Sequence, residues 1–102
     1  MRIAVATTGN DALAEISSHT GRAQYFLIFD EKGDLLDALP NPYIRSGRGA
    51  GRRAAALLVK QAVDLLIGGR FGPTLREHLA SHGIRCTEKT GRAHDAVRSV
   101  VC

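Results

Sequence analysis

Residues 63–69, VDLLIGG, carry one acid, Asp64, near their start and then an unbroken apolar run closed by a glycine pair. A strand with no polar alternation must be buried on both faces, which is the situation of a parallel strand inside a sheet covered by helices. The flanking segments supply those helices. RRAAALLVKQA (52–62) places Ala54, Leu57, Leu58 and Ala62 near one face, at helical spacing. GPTLREHLASHG (72–83) carries Pro73 in a first turn and stops at Gly83, the expected proline-first, glycine-last order. IRCTE then reads as a last short strand and AHDAVRSVV as a last helix.

The first half of the chain has a different rhythm. RIAVATT is a strand of small and β-branched residues that GN stops, and AQYFLIF is a second. DEKGD (30–34) is a hairpin signal, with Gly33 free to take positive φ. LLDAL returns antiparallel until Pro40 and Pro42 end it. Residues 43–51, YIRSGRGAG, read as a loop. The predicted order is β-β-β-α-β-α-β-α: a mixed five-stranded sheet with helices on its faces, and the first and fourth strands as its central pair. Tryptophan is absent and aromatics are only 5%, which suits helices lying close on a sheet. At 102 residues the chain is read as one domain, 1–102.

Charge is unevenly placed. The net charge is +4, and Arg45, Arg48, Arg52 and Arg53 fall in nine residues without an acid. Such a patch attracts anions, but without interleaved aromatics it does not favour single-stranded nucleic acid. Two cysteines, Cys86 and Cys102, make no disulfide framework and no C-x-x-C pair. Neither a secretory signal nor a membrane-length apolar run is present, so a cytoplasmic monomer with reduced thiols is expected.

In an open α/β sheet, ligands sit beyond the carboxyl ends of the strands, where strand order reverses. Three segments are expected to converge on that rim: TTGN (7–10), the loop carrying His19, and GGRFGP (68–73), which feeds a helix N-terminus favourable to anions. GGRFGP is also what a tight strand-to-helix turn needs, and it lacks the P-loop ending. SGRGAG could cradle an anion or be only a basic loop. His78 and His82 are spaced to pair on a metal, yet the order is not H-E-x-x-H and a solvated helix edge fits better. His94 has no evident partner. With no G-x-S-x-G and no carboxylate cluster, no enzyme activity is expected.

Taken in order, HTGRAQYFLIFD (19–30), Asn41–Pro42, GAGRRAAALL, VDLLIGGRFGP, LASHGIRC and AHDAV resemble the dinitrogenase iron-molybdenum cofactor biosynthesis family, from Ile3 to Val97. The family pattern H-F-G-R-A-P-Y-F is matched at His19, Gly21, Arg22, Ala23, Tyr25 and Phe26, with Thr20 for Phe and Gln24 for Pro. The resemblance implies a ribonuclease-H-like, three-layer fold without that enzyme's carboxylates. It implies non-enzymatic binding, carriage or storage of an iron-molybdenum cofactor or iron-sulfur cluster, with donor and acceptor proteins as partners. By similarity His19 is the metal ligand. Thr8, Gly21, Arg22, Gly69 and Arg70 are then the cofactor-binding residues, the arginines and loop amides offsetting cluster charge. The alternative is a regulatory or interaction module that binds phosphate or a nucleotide through SGRGAG and GGRFGP.

Overall fold

The computed structural model describes residues 1–42 and 50–101. The strands are β1 (Ile3–Thr7), β2 (Tyr25–Phe29), β3 (Leu35–Pro40), β4 (Leu65–Gly68) and β5 (Arg85–Glu88). The helices are α1 (Ala50–Lys60), α2 (Pro73–Ser81) and α3 (Ala93–Val101), and a 3₁₀ turn spans Thr20–Arg22. The sheet order is β3-β2-β1-β4-β5. β1 runs antiparallel to β2 and parallel to β4, so the meander and the βαβ half meet at β1 and β4. This is the expected mixed sheet, with the expected central pair.

Alternation along the strands divides the core into two layers. Ala4, Ala6, Phe26, Ile28 and Leu66 pack with Ala54, Leu58, Leu75 and Leu79 of α1 and α2. Ile3, Val5, Leu27, Phe29, Leu65 and Ile67 pack with Ala93, Ala96 and Val97 of α3. The result is a three-layer α/β fold with two helices on one face and one on the other. No helix among the described residues is long and apolar enough to cross a membrane.

Two expected boundaries are corrected. α1 begins at Ala50, so Ala50 and Gly51 belong to the helix and not to the preceding loop; residues 43–49, with Arg45 and Arg48, lie outside the described residues. A Cβ on Gly51 would sit 3.4 Å from Leu75 Cβ, so this turn packs closely on α2. The helix ends at Lys60, and Ala62 lies beyond it with φ 57°. There Ala62 N–H donates to Val59 O and Val63 N–H to Leu58 O, folding the chain back toward β4.

The long connection from β1 to the 3₁₀ turn closes the N-terminus of α3. Ala93 N–H donates to Ala14 O and His94 N–H to Ala12 O. Two of the donors that a helix start leaves unpaired are therefore already used at α3.

The β2–β3 hairpin turns on Asp30, whose Oδ1 accepts from Lys32 N–H at 2.9 Å and Asp34 N–H at 3.0 Å, while Gly33 takes φ 87°. The bond from Asp34 holds the Asp30 carboxyl below its ordinary value against an opposing desolvation, and Lys32 adds to the lowering through its N–H and its charge. A depressed carboxyl stabilises the fold above its unfolded pKa and loses that contribution as pH falls through the folded one. Asp30→Asn is therefore expected to flatten the acid limb of the stability curve below about pH 4. Denaturant titrations of both proteins from neutral to acid pH check this, and parallel curves would refute it.

Candidate functional site

The carboxyl end of β4 sets the position of everything at the site. Gly68 has no room for a side chain: a Cβ there would overlap Thr20 Oγ1 and come within 2.9 Å of Thr20 Cβ and Cγ2. At Gly69 it would meet Ser17 O at 2.5 Å and Ser18 Cα at 2.7 Å. The loop bearing His19 thus rests directly on the glycine pair, at distances only glycine permits. Gly69 N–H donates to Ser17 O at 2.9 Å and Thr20 N–H to Arg70 O at 3.0 Å. These bonds join the two segments in register.

Polar side chains beneath the loop complete its shape. Ser17, largely buried, donates Oγ–H to His19 O at 3.1 Å and accepts from His19 N–H at 3.3 Å. Asn41 is 5% exposed, and its Nδ2 donates to Ala23 O at 2.9 Å and Gly21 O at 3.4 Å. Its own N–H donates to Gln24 O. A side chain at the end of β3 therefore clamps both carbonyls at the exit of the 3₁₀ turn.

Above this base lies a pocket of about 460 Å³, within the usual size range of small-ligand sites. His19, Thr20, Gly21 and Arg22 form one wall, Gly51 and Arg52 of α1 a second, and Arg70 with residues 72–75 a third. The described lining holds one imidazole, three guanidiniums and no carboxylate. α2 opens into it: Gly72 provides no side-chain cap and Pro73 stands at the first turn. The N–H groups of Thr74 and Leu75 have no acceptor among the described residues. A helix N-terminus with open donors beside three arginines favours a negative ligand.

His19, Gly21, Arg22 and Arg70 are thus brought together, while Thr8 and Gly69 are not part of the lining. The amides expected of Thr8 and Gly69 are spent inside the loops, since Thr8 N–H donates to Glu15 O and Gly69 N–H to Ser17 O. The rim is built by the His19 loop, 70–75 and the start of α1, and the segment after β1 turns away toward α3. Sequence reasoning missed Ser17 and the clamp at Asn41, and it assigned Arg52 only to a basic patch. An asparagine before proline at a strand end was the one available signal for the clamp.

The remaining candidates lie elsewhere. His82 Nδ1 is 2.9 Å from His78 O, within its own helix, rather than paired with the His78 ring on a metal. His94 Nδ1 stands 3.9 Å from Asp95 Oδ1. Cys86 is half-buried on β5, where desolvation pushes its thiol pKa up and Arg76 only partly opposes it. It lines a second, larger cavity of about 690 Å³ beside β5, but Arg76 there is paired with Glu88 at 3.2 Å. Cys102 is outside the described residues.

Comparison with known proteins gives a consistent picture. The family model described as dinitrogenase iron-molybdenum cofactor matches residues 1–101. The apo form of the orange protein from Desulfovibrio gigas is 26% identical, with TM-score 0.91 over 98% of this chain and 86% of that one. A candidate NifB protein from Thermotoga, placed in the DUF35 family, is 28% identical, with TM-score 0.82 over 97% and 85%. A candidate dinitrogenase from Methanocaldococcus jannaschii, 14% identical with TM-score 0.64 over 99% and 88%, shares the fold. A comparison with curated proteins returns no match.

Asn41→Asp tests the clamp, because it puts a carboxylate where two carbonyl oxygens now accept from an amide. Leaving such acceptors unpaired in a buried site is expected to cost about 1–3 kcal/mol. Denaturant unfolding measures the loss, and amide exchange at residues 19–24 should speed up ahead of the sheet. An unchanged midpoint with unchanged exchange would remove Asn41 from the scaffold.

Proposed function

We infer the role from family and pocket together, since the chain belongs to the dinitrogenase iron-molybdenum cofactor family. The proposed role is non-enzymatic: binding, and then carriage or storage, of an iron-molybdenum or iron-sulfur cofactor during metallocofactor assembly. Proteins that donate and receive the cofactor are its partners in this reading.

The observation that carries the proposal is the make-up of the pocket. Among the described residues no three His, Cys, Asp or Glu side chains gather closely enough to hold a bare metal ion. A metal-sulfide cluster needs no such set, because its metals already carry sulfide, and its net charge is negative. One imidazole is enough to mark an open iron position, and neutral imidazole suits iron. Arg22, Arg52 and Arg70 lie around His19 in the lining, where cationic donors offset cluster charge and tune the ligand. Sparse ligation also suits a carrier, which must release what it holds. The likeness to a protein described in its apo form agrees with a ligand-accepting pocket.

A small-anion module is the second reading, favoured by the same arginines and by the open N–H groups of Thr74 and Leu75. The two readings differ in colour and metal content. Anaerobic purification from the native host is expected to yield protein with a broad visible absorbance and iron or molybdenum at a fixed ratio. His19→Ala should lower the bound metal about tenfold or more, the range for losing a metal ligand's support. Colourless, metal-free protein that also refuses reconstitution would leave the small-anion reading in place.

A further inference from the structure

Arg52 lines the pocket from α1, outside the His19 loop and the 70–75 segment, and its placement has an identifiable cause. It sits in the first turn of α1, exposed, with its backbone packed where Gly51 meets Leu75 of α2. An exposed arginine on a helix normally samples many rotamers, and fixing one costs entropy. Here the side chain is tied across to α2: Arg52 Nε–H donates to His78 Nε2 at 3.3 Å. A bond in this direction uses Nε2 as the accepting nitrogen of the ring. His78 is half-buried, one turn beyond Thr74 and Leu75 of the pocket wall. Tying back Nε leaves both Nη groups, which have no partner among the described residues. Those are the donors with which a guanidinium binds an oxyanion or a sulfide edge.

We propose that Arg52 is an anion-binding residue of this pocket and that His78, which does not line it, is the positioning residue that holds Arg52 in place. The inference rests on the reading of the pocket as a site for an anionic ligand and adds two residues to it. His78 acts through Arg52 alone. It takes no part in metal binding.

Molybdate, a tetrahedral molybdenum dianion, is a probe that needs no assembled cluster. Isothermal titration of the full chain compares the wild type with Arg52→Ala, His78→Ala, the double variant and His78→Gln. Arg52→Ala is expected to weaken molybdate binding about tenfold, the scale of one charge-assisted contact. His78→Ala should weaken it about threefold or more, and the double variant should bind no worse than Arg52→Ala, the signature of residues acting as one unit. Glutamine at 78 still offers an acceptor oxygen, so His78→Gln should recover binding to within about twofold of wild type. A general structural role for His78 would not give that rescue, and melting curves of all variants monitor the fold. The inference is overturned if His78→Ala binds like wild type, if the two losses multiply, if glutamine fails to rescue, or if wild type binds no molybdate. The cofactor reading is judged separately, by the metal content of protein from the native host.

Discussion

The close contact between β4 and the His19 loop governs the rest of this structure. Because Gly68 and Gly69 carry no side chains, Thr20 can settle on the sheet and Ser17 O can accept from Gly69 N–H. Any Cβ at these two positions would lift the loop by more than the neighbouring bonds could follow. Overpacking of that kind costs about 1–3 kcal/mol, and here the displaced segment would be the pocket wall itself. The glycine pair that ends the buried parallel strand β4 thus also sets the level of the pocket floor. Strand burial and site geometry are consequences of the same short sequence.

The three helix starts show how one fold directs polarity. α3 has its first donors taken by Ala12 O and Ala14 O, so the connection after β1 consumes the field at that end. α2 receives no comparable cap and faces the arginines. A helix N-terminus attracts anions only where its N–H groups remain open. The asymmetry explains why the ligand-ready end of the sheet lies between α1 and α2, on the two-helix face, although all three helices follow strands.

Much of this was readable before any coordinates. VDLLIGG demanded a covered parallel strand, DEKGD a hairpin, and the glycine and proline stops placed α2 and α3, because those signals are local. The start of α1 was not readable, because Ala50 and Gly51 look like loop residues until Gly51 is seen to pack beside Leu75. The same limit applies to the site. His19, Gly21, Arg22 and Arg70 stand in motifs and are gathered in one pocket. Arg52 joins them through tertiary packing of α1 on α2, which no spacing encodes. The Asn41 clamp closes a separation of about 20 residues, beyond any local pattern. The amides of Thr8 and Gly69 were misjudged for a related reason: whether an N–H is available depends on which carbonyl reaches it, and Glu15 and Ser17 supply those carbonyls.

The two departures from the family pattern can now be weighed by position. Thr20, in place of phenylalanine, is fully buried, and its Oγ1 packs over Gly68 with no hydrogen-bond partner among the described residues. It shapes the floor. Gln24, in place of proline, donates its N–H to Thr7 O at 3.1 Å, a bond proline could not make. That bond adds a tie between the loop exit and the end of β1. Gln24 falls on the supporting side of the loop, whereas Thr20 reaches both the floor and the pocket wall. The groups that can meet a ligand, His19, Gly21 and Arg22, keep the family's residues on the wall of the pocket. The departures thus alter the base of the loop and one neutral point of the wall, and leave its imidazole, guanidinium and glycine where the family pattern has them.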